Sequence, residues 1–312
     1  MKTRAVSSMI LFSWFLIAAG VAQEATPSTS SGTAPTFQYK FRPDQQERYQ
    51  VVVELNGNLP IPGAAGAAGQ LKLILGISMK VTKVEEQQAT VQTALEEFNA
   101  EFNGSPFPAS LDMAKSVIPD STATVTPRGK LGGLQGGGGL MGAPLPGFDP
   151  RNLATLLFPL ELPDVPLTNG ATWQFTRAFG EGANALRVPI TARFEGVEEV
   201  DGVKLLKISE TFSLPIELYQ DAFYQPVSDK EQATHVMRGE MKGNGVIYLD
   251  PEAGVLQKLT LNASLSQTRE PIKKDGSEVK EYERESTQLT LALNAARKAS
   301  APPSAATENK GN

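Results

Sequence analysis

Cysteine is absent from all 312 residues, histidine occurs once and tryptophan twice. Without cysteine there is no disulfide, no thiolate nucleophile and no lipid-modified cysteine of the bacterial lipoprotein kind. The single histidine, His235 in "ATHVMRGE", has no G-x-S-x-G nucleophile elbow anywhere in the chain to serve. A zinc site would have to combine it with carboxylates alone, an unusual ligand set. No D-x-D-x-D-G loop for calcium occurs either. No metal, no cofactor and no catalytic residue is therefore expected, and His235 reads as a polar strand position. Positive charge is also scarce: 29 basic residues stand against 34 acidic ones, which argues against nucleic acid as a partner.

Long apolar runs are missing beyond the N-terminus, so no helix that spans a membrane is expected in the mature chain. The N-terminus itself, MKTRAVSSMILFSWFLIAAGVAQEA, pairs a basic start at Lys2 and Arg4 with an apolar stretch from Met9 to Ala19. Small residues follow at Gly20-Val21-Ala22. This is the three-part pattern of a secretory signal peptide, residues 1–22, cut after Ala22. It implies a secreted or periplasmic bacterial protein. Trp173 is then the only tryptophan left, too few aromatics for a carbohydrate platform. Residues 23–35 and 296–312 are rich in Ser, Thr, Pro and Ala and read as a disordered leader and tail.

Between the tails the dominant period is two. Leu71, Leu73, Leu75, Ile77, Met79 and Val81 alternate with more polar residues. So do Leu186, Val188, Ile190, Ala192 and Phe194, then Leu259, Leu261, Ala263 and Leu265, then Leu289, Leu291 and Leu293. Such strands belong to antiparallel sheet with one covered face. Asp201-Gly202 and Asp275-Gly276 read as hairpin turns. Pro189 should sit at an edge or bulge, because it cannot donate to a ladder. Ala109 to Val117 and Asp149 to Leu157 read as short helices, the second with Asp149 as cap and Pro150 in the first position. Val91 to Phe102 fits either a helix face or a strand.

"KVEEQQATVQTALEEF" (83–98) is similar to "GVEEVDGVKLLKISETF" (196–212). Each is followed later by a strand and turn, "TATVTPRGKL" and "GVIYLDPEAGVLQKL". The expected fold is therefore mostly β: antiparallel sheets from two similar β units, half-barrel or sandwich-like, with one or two short helices. The first unit covers 36–130, a glycine-rich loop and short helix 131–158, and the second unit 159–295.

"LELPDVPLTNGATWQF" (160–175), with Gly170-x-x-Trp173 opening a strand, resembles the recurring signature of uncharacterised secreted bacterial β proteins, a domain of unknown function. "YLDPEAGVLQKLTL" fits the same grammar. The resemblance implies an exported β-rich fold and transfers no catalytic residue. A looser likeness is to periplasmic lipoprotein carriers, which bend an antiparallel sheet over an apolar cavity.

Two stretches carry no charge: seventeen residues between Glu54 and Lys72, and eighteen between Lys130 and Asp149. Within the second, Gly137, Gly139 and Gly142 match G-x-G-x-x-G, but Pro144 and Pro146 follow, where a dinucleotide site needs a helix. Lys130 is followed by Leu131, which rules out a P-loop. The stretch is a loop. Its apolar residues Leu140, Met141, Leu145 and Phe148, spaced by glycine, form a candidate ligand-binding flap; the alternative is a low-complexity insertion. Glu96, Glu97, Glu101, Glu198 and Glu199 are acidic doublets and near neighbours, but adjacent residues on a strand face opposite ways, so no doublet is a catalytic pair. Asn103 and Asn262 begin glycosylation sequons, relevant only in a eukaryotic host. Three functions remain, in order. The first is a non-enzymatic exported protein that binds an apolar ligand or an envelope partner. The second is a scaffold module without a small ligand. The third is a glutamate-dependent hydrolase.

Overall fold

The structure, a computed structural model, describes residues 37–59, 68–135, 149–150, 152–179, 186–222, 227 and 229–298. The chain runs through β1 (Gln46–Asn58), β2 (Ala68–Val84), β3 (Ala89–Phe102) and the short β4 (Ser105–Pro106). α1 (Leu111–Val117) follows, then β5 (Ser121–Val125), β6 (Leu131–Gln135) and α2 (Ala154–Leu157). The second half contributes β7 (Thr172–Phe179), β8 (Leu186–Val200), β9 (Val203–Gln220), β10 (His235–Asp250), β11 (Val255–Pro271) and β12 (Glu285–Lys298).

Among the described residues, all twelve strands join one antiparallel sheet in the order β6-β5-β3-β2-β1-β12-β11-β10-β9-β8-β7, with β4 also on β3. The two halves are thus consecutive meanders laid side by side, and the first and last long strands, β1 and β12, pair at the seam. The similar stretches 83–98 and 196–212 form the β2–β3 and β8–β9 hairpins, at matching places in the two meanders. Val91 to Phe102 is strand, because its apolar residues meet the β2 row; a register shift near Glu96 keeps Phe98, Ala100 and Phe102 opposite Leu75, Leu73 and Leu71.

The alternating residues define an inner face. Val51, Val53, Leu75, Ile77, Ile190, Ile208, Ile247, Leu261 and Leu293 are all buried there. The outer face carries the polar partners, such as Arg238, Glu240, Lys242 and Asn244 on β10. Asp201 (φ 51°) and Gly202 (φ 79°) make the tight β8–β9 turn, the left-handed pair that a two-residue hairpin requires. Pro189 still pairs with Thr176 on β7, the edge strand, and lies one residue outside the β8–β9 ladder, so its missing N–H breaks no bond there.

The sheet curls strongly. Tyr39 N–H donates to the Pro127 carbonyl (2.7 Å), and its neighbour Lys40 N–H donates to the Gly254 carbonyl (3.0 Å). These carbonyls belong to the β5–β6 and β10–β11 turns. In a flat sheet β5 and β11 would stand five spacings apart, about 24 Å, yet adjacent residues, about 3.8 Å apart, reach both turns. The edges β6 and β7 do not pair with each other; a strap of chain from Leu153 to Leu162 ties the two sides instead. Leu162 N–H donates to the Arg128 carbonyl (2.8 Å) and Arg128 Nε–H returns a bond to the Leu162 carbonyl (2.6 Å). On the other side Trp173 Nε1–H donates to the Glu161 carbonyl (2.8 Å). Leu153, Leu156, Leu157, Phe158, Leu160 and Leu162 of the strap are buried under the sheet, and Phe158 meets Tyr39 edge-on at 5.2 Å between centroids.

Three local expectations are corrected. The helix expected over Asp149 to Leu157 is only Ala154–Leu157, with Leu153 at its N-cap and no side-chain cap bond. Asp149 and Asn152 instead form a preceding turn (Asn152 N–H to Asp149 carbonyl, 3.1 Å), and strap burial outweighs the capping pattern. Leu131–Gln135, read as part of the loop, is strand β6, paired with β5. Asp275-Gly276 is a turn, but not a tight hairpin: β11 and β12 are joined by residues 272–284, which include a 3-10 turn at Glu281–Glu283. The helix expected over Ala109 to Val117 forms as α1, where Ser110 Oγ accepts from Met113 N–H (3.2 Å).

Gly129 locks the strap in place. Its φ is +86°, and a Cβ there would lie 2.1 Å from the Leu160 carbonyl oxygen and 2.5 Å from the Tyr39 ring. Gly129→Ala should therefore cost more than about 2 kcal/mol, strain plus a clash with backbone. Gly202→Ala has a similar φ of +79° but open space around it, so it should cost only about 1 kcal/mol. Paired urea melts check this; equal costs would show that the strap contact is unimportant.

Candidate functional site

The four residues of the expected flap, Leu140, Met141, Leu145 and Phe148, lie outside the described residues. The site is instead built from the inner face at the end of the sheet away from Tyr39. There the registers bring Phe102, Leu71 and Leu55 into one row, and Leu289, Leu265, Met241 and Leu214 into a second. Leu218 lies farther out, opposite Met237. Leu55, Leu289, Met241 and Met237 are buried, but Phe102, Leu71, Leu265, Leu214 and Leu218 are only half-buried. Nearer the Tyr39 end, Val51, Leu75, Ile208 and Ile247 are fully covered. The apolar face is thus packed solid at one end and left as a half-open belt at the other. Strand alternation puts these residues inward, and among the described residues the segment from Phe37 to Phe41 and the strap cover only part of the face.

Among the described residues, ion pairs at inner-face positions include Glu47 on β1 with Arg297 on β12 (2.7 Å) and the more deeply buried Arg177 with Glu210. Arg177 on β7 and Glu210 on β9 are both buried, with Arg177 Nη2 3.0 Å from Glu210 Oε2. Arg177 Nη2 also donates to the Pro159 carbonyl of the strap, and its guanidinium lies 5.8 Å from the Phe175 ring centroid. Sequence reading missed this pair. The signal was parity: Glu210 falls in step with Ile208 and Phe212, and Arg177 in step with Trp173 and Phe175, all inward positions.

The acids singled out from the sequence lie elsewhere. Glu96 pairs with Arg48 (3.4 Å), Glu97 with Lys298 (3.5 Å) and Glu198 with Lys207 (2.8 Å). The hydrogen bond from Lys207 holds the Glu198 carboxyl below the usual range and raises the Lys207 ammonium in turn. His235 opens β10, with Nδ1 2.9 Å from Thr234 Oγ1. Among the described residues no group of three or more His, Cys, Asp or Glu could hold a metal ion, and no helix is long and apolar enough to cross a membrane. Clefts of about 880 and 620 Å³ are lined mainly by outward-facing polar residues, such as Arg238, Thr268, Glu270 and Arg284 in the first and Asn56, Asn244, Asn262 and Thr290 in the second. The ion pairs of the first do not suit an apolar ligand, whereas the second also takes in Phe212, Ala263 and Leu291.

Fold and site together define an open, curled antiparallel sheet with a polar outer face and an apolar inner face. No family model and no curated protein matches the chain. Among solved structures it is similar to one described as "Lipid-protein interactions in lipovitellin", at 13% identity and a TM-score of 0.41 over 87% of this chain. The chain spans only 27% of that lipovitellin chain. It is also similar to a DUF1329 family protein from Desulfovibrio piger, at 7% identity and a TM-score of 0.18, covering 84% of this chain and 88% of that one. The second neighbour belongs to a family of unknown function. Likeness at this level carries no argument about ligand or activity.

Proposed function

We propose that the protein is an exported, non-enzymatic carrier or receptor that seats an apolar ligand on the half-open belt of its inner face. The belt of half-buried Phe102, Leu71, Leu265, Leu214 and Leu218 is the observation that carries this reading. A contiguous apolar surface left partly uncovered is what an apolar ligand or partner recognises. Export rests on the signal-peptide pattern of residues 1–22. The second reading, a scaffold module without a small ligand, is favoured by the solid packing at the Tyr39 end.

Titration with the neutral fluorescent probe N-phenyl-1-naphthylamine separates the two. The carrier reading expects saturable binding, weakened about tenfold or more by Leu265→Gln. It expects no change from Val197→Gln, a substitution at a residue 56% exposed outside the belt. If the parent protein binds no apolar probe, the scaffold reading stands and the carrier reading falls.

A further inference from the structure

We propose that β7, at one edge of the sheet, is a docking strand: it takes an extended peptide segment of a partner protein by strand addition, and the cleft between β7 and the end of the strap receives an apolar side chain of that segment. This interaction is independent of the belt, to which β7 contributes no residue.

The two edges of the sheet differ. β6 is five residues long, contains Gly132 and Gly133 (φ 55°), and slips its register against β5. A short, irregular edge is a poor template for another strand. β7 runs for eight residues in unbroken register with β8. Its stretch Thr172-Trp173-Gln174-Phe175-Thr176 is rich in residue types that suit strands. It has no lysine, proline or bulge of the kind that normally blunts an edge. The single charge on β7, Arg177, is turned inward and buried against the strap. Phe194 N–H donates to the Ala171 carbonyl (2.9 Å), so the odd-numbered residues that follow face β8 in the ladder. By alternation the N–H and C=O of Thr172, Gln174 and Thr176 point to the open side. These three residues are exposed, and among the described residues β7 pairs with β8 alone.

The occupant follows from this chemistry. A row of alternating donors and acceptors is matched by the backbone of another extended chain. Specificity in strand addition comes from pockets for alternate side chains, and one lies beside this edge. A cleft of about 340 Å³ is lined by Leu162, Pro163, Val165, Trp173 and Phe175, with the Arg128–Asp164 ion pair next to them. That volume is at the small end for a ligand site and suits side chains. Trp173 and Phe175 are half-buried, and Val165 is 64% exposed, so the apolar lining is open to a guest. A second copy of β7 fits less well than a foreign peptide. Its inward side chains Trp173 and Arg177 are already held by the Glu161 and Pro159 carbonyls, and its outward ones, Thr172, Gln174 and Thr176, are polar.

The experiment is amide hydrogen exchange of the full chain, read residue by residue by NMR, with and without the capped peptide acetyl-Lys-Thr-Val-Thr-Val-Thr-Val-Lys-amide. In the free protein the Gln174 and Thr176 amides should exchange fast, and the Trp173 and Phe175 amides slowly. Saturating peptide should slow Gln174 and Thr176 about tenfold or more and leave Trp173 and Phe175 as they were. Val165→Asp puts a charge into the cleft at an exposed residue and should weaken the peptide about tenfold or more. Gln174→Pro removes an N–H that β8 does not use, so it should abolish binding and keep the fold. The wild-type and Val165→Asp measurements stand whether or not the proline variant folds. No protection of Gln174 and Thr176 at millimolar peptide, or equal binding by the Val165→Asp protein, would overturn the proposal. Protection of these amides that grows with protein concentration in the absence of peptide, with a doubled mass in sedimentation, would also overturn it and give the edge to a second copy.

Discussion

Glu210→Leu is expected to lower the free energy of unfolding by about 3–5 kcal/mol. The substitution leaves the Arg177 guanidinium, 8% exposed, without its counter-charge under the strap. Arg177→Met should cost a similar amount, because Glu210 then loses its hydrogen-bond partner and the Pro159 carbonyl loses its donor. Such a loss is a large part of the stability of an ordinary domain, about 5–15 kcal/mol. The double variant Arg177→Met/Glu210→Leu should recover most of it, since two apolar side chains on an apolar face need no ion pair. Urea unfolding of the four proteins closes the cycle. Additive single costs would mean that the two charges are not coupled and that the pair is misplaced in this account.

Alkaline titration should have an effect of comparable size. Burial, the largest influence, pushes the Tyr39 and Tyr49 phenols above the usual tyrosine range, and for Tyr49 the Glu47 carboxylate adds to it. Both hydroxyls therefore stay protonated in the folded chain at a pH where the unfolded chain has released them. Stability is complete below the unfolded pKa of about 10 and falls as the pH rises past it. Each retained proton contributes a slope of about 1.4 kcal/mol per pH unit. The two phenols together should remove about 5 kcal/mol between pH 10 and 12. Tyr49→Phe gives up the hydrogen bond from the hydroxyl to the Leu256 carbonyl (3.2 Å), yet its stability should fall less steeply with pH. A slope unchanged in the Tyr39→Phe/Tyr49→Phe double variant would contradict the burial of these phenols.

Period-two alternation made the long strands legible, because every second residue must face the strap and the opposite wall. The rows that begin at Leu71, Leu186, Leu259 and Leu289 could be read from the chain for that reason. The turn at Asp201-Gly202 was legible too, since its residues tolerate positive φ. The strap was not. "LATLLFPLEL" is apolar on all sides with no period, because residues 153–162 are enclosed from several directions at once; a helix cap at Asp149 was the nearest local pattern, and burial overrode it. The β1–β12 seam was equally hidden: it joins residues more than 200 positions apart, and no local signal reports it. The ion pair lay between these cases. Two inward-parity charges of opposite sign were visible, but only the β7-β8-β9 order places them within reach of each other.

Native mass spectrometry of the protein purified from its own host, followed by solvent extraction, tests the central claim most directly. The account predicts a fraction of molecules with a discrete added mass of a few hundred daltons. That mass should be released by organic solvent and identified as an apolar or amphiphilic small molecule. It should be lost from Leu265→Gln protein that still melts cooperatively. A bare polypeptide mass throughout, together with no uptake of any apolar probe by the folded protein, would contradict the carrier reading and leave the curled sheet as a scaffold.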